Sequence, residues 1–392
     1  MKQLFKFALI MCILTILFIS CMNKQGGNIL TEGKIFSIEN LTTQTFEINS
    51  ERDTILKGKS GTLLHIYKNS FIDSNGQKIS GEIEIELKEA IKSSDIILSG
   101  LTTTSNGLFL ESGGMIYINA SSNGNRLEIS EGNFIGAIVP CQKLVEGMKV
   151  YEGEVDSNGI NWINPSSILN DRIVQQMHET KSDTIEKTRS EKYIKVLNGS
   201  VNEIDSIIDY VELDTSTFKD EKRVEGNIKQ RKQKRIQVNE EDFFISGLQN
   251  QKGTNSFNED INTHYILSLK KLGWANIDRL FDDIRTKEVE FITKIENSNY
   301  YEQIYITLIV TKMSMYIPGY QRKDETYSFT HFDDELPKLP VGESAIILVT
   351  AYKGNKVYYS IKNFIITEKQ RIDIILAETT NEKLKSEVKK RL

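Results

Sequence analysis

The stretch Leu110-Glu111-Ser112-Gly113-Gly114 sets an acid, a serine and two glycines side by side, the ingredients of a nucleophile on a tight turn. Serine chemistry also needs a base within hydrogen-bond reach. Both the trypsin-like and the nucleophile-elbow patterns need a glycine two residues before the serine. Leu110 stands at that place, and the histidine upstream of Ser112 is His65, in the apolar context LLHIYK. A structural account fits better: Gly113 and Gly114 let a strand kink or bulge, and Ser112 bonds nearby backbone. On that account valine at 113 damages folding and alanine at 112 is nearly silent.

Other chemistry-bearing residues are weighed in the same way. The four histidines, His65, His178, His264 and His331, show no ligand spacing among themselves. The densest donor group, His331, Asp333 and Asp334, reads as a solvated turn. The two DSNG strings at 73–76 and 156–159 lack the downstream glutamate of a calcium loop. No phosphate-cradling or dinucleotide-binding glycine loop occurs, so neither metal nor cofactor is expected. Glu82, Glu84, Glu86 and Glu89 form an acidic stripe in which same-face carboxylates on a strand lie about 6–7 Å apart. Glycosidase pairs use such separations, but so does any solvated strand face, and no catalytic residue is assigned. Tyr151, Trp162, Tyr300 and Tyr301 are candidates for an aromatic glycan platform, weighed against ordinary core packing.

The N-terminus carries the strongest signal. MKQLFKFALIMCILTILFISC has Lys2 and Lys6, an apolar run from Phe7 to Ile19, then Ser20 and Cys21. That is the pattern of a secretory signal, too short to be read first as a membrane-spanning domain. Its ending, Leu17-Phe18-Ile19-Ser20-Cys21, resembles a lipobox, with Phe18 departing from the preferred leucine. Cys21 is therefore the expected lipidation site; Cys12 competes poorly, because the large Met11 precedes it. Acyl chains on Cys21 would hold a water-soluble body at a bilayer. Cys141 is then the remaining thiol, so no disulfide is expected within the chain, and it reads as a small core filler.

The positioning elements are mainly β. Residues 1–20 are the expected signal and 21–33 a polar tether. From 34 to 165 short alternating runs such as GEIEIELKEA, separated by Asn75-Gly76, Asn123-Gly124 and Asn158-Gly159 turns, predict a β-sandwich. Residues 166–240 are charged and aromatic-poor, and predict a partly helical or disordered linker. Its KQRKQKR run at 229–235 reads as a solvated segment between acidic flanks. Residues 241–392 predict a second β-sandwich closed by a helix, in which Thr379 and Glu382 have capping-box spacing and Leu384, Val388 and Leu392 share a face. With 49 basic and 54 acidic residues and a net charge of −5, nucleic acid is not an expected partner.

GTLLHIYKNSFIDSNGQKISGEIEIELKEA, LESGGMIYINA, GINW and LGWANIDRL together resemble a group of bacterial cell-envelope lipoproteins of uncharacterised function. The first block is similar to a ZU5-like or immunoglobulin-like β-sandwich. In those relatives a cysteine often stands where Ile277 stands here. The resemblance implies a fold and a location, not an activity. The expectation is a non-enzymatic protein anchored through Cys21 in the outer membrane, facing the periplasm, with a binding, scaffolding or assembly role and an envelope protein partner. Met22-Asn23-Lys24-Gln25 carries no aspartate for inner-membrane retention, and no acid occurs before Glu32. The rival readings are a glycan- or peptide-binding accessory of nutrient uptake and a cell-wall or peptide hydrolase.

Overall fold

The computed structural model describes residues 35–156, 159–171, 173, 241, 242, 244, 245, 262–330 and 335–392. The fold is mainly β, with several sheets and a C-terminal helix. Among the described residues no helix is long and apolar enough to cross a membrane. Cys12, Cys21, the tether, His178, the 229–235 basic run, His331, Asp333 and Asp334 lie outside the described residues.

Alternation builds the first pair of layers. In β4 (Glu82–Ala90), Ile83, Ile85 and Leu87 are buried while Glu82 and Glu84 face water, as expected of a strand with one wet face. It pairs antiparallel with β1 (Gln44–Asn49) and with the long β5 (Leu108–Ser122). Beyond β5 come β10 (Gly273–Leu280), β7 (Lys149–Asp156) and β8 (Gly159–Ser167). The main path of this eight-stranded sheet is therefore β1-β4-β5-β10-β7-β8. Opposite it lies a four-stranded sheet in the order β9 (His264–Leu269), β6 (Ile135–Pro140), β3 (Leu63–Ile66) and β2 (Thr54–Lys57). Ile85, Leu87, Ile116 and Ile118 of one sheet meet Leu64, Ile135, Ala137 and Leu267 of the other in one core. Each buried Ile or Leu side chain there stabilises by about 1.5–3 kcal/mol relative to exposure. The turns follow their residues: Asn123 and Gly124 both have positive φ (51° and 77°), the two-residue hairpin geometry that Asn-Gly favours.

Two boundaries differ from the sequence reading. Strands β9 and β10, within the span assigned to the second sandwich (241–392), pair into the first: β10 between β5 and β7, and β9 beside β6. Both faces of β10 are covered, and Trp274, Ala275, Asn276, Ile277 and Asp278 are all buried. Pro165 does not end the first unit either. Strand β8 runs through it to Ser167, which an edge position tolerates because no ladder donor is missed there. Ile168, Leu169 and Ile173, placed in the charged linker by the sequence reading, are buried. Leu169 and Ile173 join Phe244, Ile245, Ile138 and Ile266 in a small core on the outer face of the four-stranded sheet.

The second unit repeats the layering. A five-stranded sheet runs β13 (Met315–Pro318), β12 (Gln303–Val310), β16 (Ser344–Lys353), β17 (Lys356–Ile365) and β19 (Ala377–Thr379). A four-stranded sheet runs β14 (Tyr320–Gln321), β15 (Tyr327–Ser328), β11 (Glu290–Ile295) and β18 (Lys369–Ile374), with β11 and β18 parallel. Leu308, Ile317, Ile347 and Val349 pack there against Phe291, Ile295, Tyr327 and Ile374.

A further core joins the two units. Leu110, Met115, Tyr151, Trp162 and Trp274 of the first meet Ile309, Tyr316, Ile346, Leu348 and Val357 of the second. Backbone bonds cross the joint: Thr103 N–H donates to Tyr316 O at 3.0 Å, and Ser112 N–H to Ser314 O at 3.3 Å. Helices α1 (Ser93–Leu98) and α2 (Asn381–Arg391) close one side, with Leu384 and Val388 in the shared core. Thus α2 covers the joint rather than the second unit alone. Its N-cap is Thr380, one residue after the expected Thr379, and Thr380 Oγ1 accepts from Lys383 N–H at 3.3 Å.

Candidate functional site

Ser112 and the GWANIDRL stretch, far apart in sequence, are strand neighbours. Asn276 pairs with Met115 and Asp278 with Ser112, so Gly113 and Gly114 together face the single residue Ile277. That two-against-one count is a β-bulge. A Cβ on Gly113 would fall 2.6 Å from the Tyr265 ring, and Gly114 has φ +121°, which together explain two glycines in succession. Around the bulge, Ser112 Oγ accepts from Gly114 N–H at 3.2 Å and donates to Asn276 Oδ1 at 3.3 Å. Asn276 Nδ2 donates to Asp278 Oδ2 at 2.6 Å, while Asp278 Oδ1 has no hydrogen-bond partner among the described residues. Burial holds the Asp278 carboxyl well above the usual range, against the pull of Ser112 and Asn276, and Glu111 raises it further.

This polar group occupies the joint core, and no histidine among the described residues belongs to it. His65 lies on β3 in the opposite sheet, its ring edge-on to Phe244 at 5.1 Å. Glu111 is committed to Arg279, 2.7 Å away. The arrangement therefore pins a bulge beneath the joint. Cys141 is half-buried against the first core, and burial pushes its thiol up to about 11, unlike the lowered values of reactive thiols.

The acidic stripe divides. Glu82, Glu84 and Glu86 share the outer face of β4, with Asn119 Nδ2 donating to Glu86 at 3.1 Å. Glu89 has the other parity and points inward. Its carboxylate accepts from Gln44 Nε2 (2.8 Å), Ser60 N–H (2.9 Å) and Thr62 N–H (3.1 Å), clasping the loop between β2 and β3. The aromatic candidates divide too. Tyr151 and Trp162 are buried in the joint core, and Trp162 Nε1 donates to Thr102 O at 2.6 Å. Tyr300 and Tyr301 form an edge-to-face cluster with Tyr358 on the second unit, with Lys353 Nζ 5.5 Å from the Tyr300 ring. Among the described residues no group of three metal-ligating side chains is assembled.

A concave site appears elsewhere, at the rim of the joint. A cleft of about 480 Å³ is lined from the first unit by Phe36, Thr102, Thr104, Asn106, Ile160 and Asn161. From the second unit come Ile304, Tyr305, Thr307, Pro318, Tyr320 and Tyr352. The volume lies in the ordinary range for small-ligand pockets, about 300–1,000 Å³. Tyr305 and Tyr352 stand edge to face with centroids 6.0 Å apart. Across the other wall Asn106 and Asn161 bond reciprocally: Asn106 N–H to Asn161 Oδ1 and Asn161 Nδ2 to Asn106 Oδ1, both 2.9 Å. Burial pushes the Tyr320 phenol up to about 12 and raises that of Tyr352. None of the described lining residues carries a formal charge.

The start of the described chain is fastened at this rim. Ile35 N–H donates to Tyr352 Oη at 3.0 Å, and Asn40 Nδ2 donates to Ile35 O at 2.5 Å and Leu98 O at 2.7 Å. Lys385 of α2 in turn donates to Asn40 Oδ1 at 2.6 Å. The sequence reading missed these cleft residues. They come from separate segments, and their local signals, an Asn-Gly turn at 106–107 and scattered tyrosines, do not mark a site. No family model, curated protein or solved structure matches this chain.

Proposed function

We propose that this protein is a lipid-anchored component of a bacterial cell envelope, held at the outer membrane through Cys21 and acting there as a non-catalytic binding module. The observation that carries the binding role is the uncharged cleft at whose edge the described residues begin. The N–H of Ile35 is held by a tyrosine that itself lines the cleft. Residues 22–34 connect that point to the expected lipid site. At no more than about 3.6 Å per residue, the fourteen steps from Cys21 to Ile35 reach at most about 50 Å, so an anchor at Cys21 keeps the cleft within that distance of the bilayer. The resemblance of the LESGG and LGWANIDRL blocks to envelope lipoproteins supports the same reading. So does the lack of an acidic residue directly after Cys21, which favours the periplasmic face.

The test is fractionation. Wild-type protein is expected with the outer membrane, and Cys21→Ala in the soluble fraction. Retention of Cys21→Ala on membranes would sink the lipid-anchor reading. Crosslinking of the native protein in cells would then identify what the module holds.

A further inference from the structure

We propose that the cleft at the joint binds a short neutral saccharide. The proposal deepens the binding reading above by naming a ligand class. Sugars present apolar C–H faces and a fringe of hydroxyls, so their sites pair aromatic surface with neutral donors and acceptors, which is what this lining supplies. Phe36, Tyr305, Tyr320 and Tyr352 provide ring surface, and Asn106 and Asn161 provide amides on the facing wall. Both asparagine amides retain hydrogen-bonding capacity beyond their mutual bonds, since each carries two donors and a two-lone-pair acceptor. Thr102, Thr104 and Thr307 are further neutral polar residues of the lining. An anion or cation would leave water here without an opposite charge to meet it, a costly transfer.

Strand addition by a peptide fits less well. β12 ladders with β16 along its length, but its other side is taken from Thr307 onward by Pro318 and the rest of β13. Gly319 N–H also donates to Ile306 O at 2.8 Å. Only Gln303 to Tyr305 remain on that side, shorter than the usual strand of about five or six residues. On the facing wall, the reciprocal Asn106–Asn161 bonds stand against the end of β8.

The test uses full-length protein in a non-glycosidic detergent. Calorimetry is run against neutral malto-, cello- and chito-oligosaccharides, with a sulfated oligosaccharide and an unrelated extended peptide as comparators. Binding to at least one neutral series is expected. Tyr305→Ala should weaken it on the order of tenfold or more, and Asn161→Asp, which keeps the side-chain volume, should weaken it as well. Tyr300→Ala, in the tyrosine cluster outside the cleft, should leave it unchanged. Melting temperatures confirm that each variant is folded; if Tyr305→Ala is not, Asn161→Asp decides. No binding to any neutral series overturns the proposal, as does preference for the sulfated ligand or the peptide. Undiminished affinity in the folded variants does the same. Membrane fractionation is read separately, so a failed saccharide assay with an intact anchor removes the ligand class alone.

Discussion

Substitutions around Ser112 separate the structural account of the bulge from a catalytic one. Gly113→Val pushes side-chain atoms into the Tyr265 ring and the Ile277 carbonyl, and overpacking of this kind costs about 1–3 kcal/mol or more. A drop in the urea midpoint is expected. The sequence reading makes Ser112→Ala nearly silent. The structure raises that expectation to about 1–3 kcal/mol, because Gly114 N–H and Asn276 Oδ1 each lose a buried partner. Asp278 adds a pH dependence. Its carboxyl binds its proton more tightly folded than unfolded, so its contribution is full below the ordinary aspartate range near pH 4. That contribution is lost as pH rises through the elevated folded value. Asp278→Asn removes the charge and keeps the shape. The variant should gain stability relative to wild type as pH increases, read from urea midpoints across a pH series. A gap between the two proteins that stays constant with pH would contradict this assignment.

At the scale of elements, Glu89 shows how one inward carboxylate orders a loop. It holds Ser60 and Thr62 N–H groups and the Gln44 amide, and Gln44 Oε1 accepts from Lys59 N–H at 2.7 Å. Glu89→Ala strands three donors at once, those of Gln44 and Thr62 in buried bonds. A loss of about 2–4 kcal/mol is expected, with faster amide exchange at residues 59–62; unchanged exchange there would refute the clasp. In the sequence Glu89 falls in with Glu82, Glu84 and Glu86, because acidic residues cluster there. Strand parity separates it from them. The helix cap shows the same limit at smaller size: Thr379 and Thr380 are chemically alike, and the backbone entering α2 decides which one caps.

At the scale of the whole molecule, the shared core makes the two units interdependent. Leu384 and Val388 of α2 belong to the core at the joint. Leu384→Ala is expected to cost about 2–5 kcal/mol. It should also loosen Asn40 and Ile35, which α2 reaches through Lys385. Proteolysis near residues 35–41 would report this; unchanged cleavage there would show that α2 does not hold the N-terminal segment. Any saccharide affinity should fall in the same variant, because Phe36 lines the cleft beside that segment.

The amino-acid sequence by itself determines the mainly β class, the alternation that buries Ile83, Ile85 and Leu87, the turns at Asn75-Gly76 and Asn123-Gly124, the terminal helix and the glycine kink after Ser112; Asn158 lies outside the described residues. Each depends on periods and turn preferences that span only a few residues. The tertiary structure alone decides that β9 and β10 complete the first unit across a long intervening segment, that Trp162 and Tyr151 are core, and that Tyr305 and Asn161 share a cleft. Alternation states which face of a strand is buried but not which strand lies beside it, and a site made from several separate segments exists only once those pairings are made.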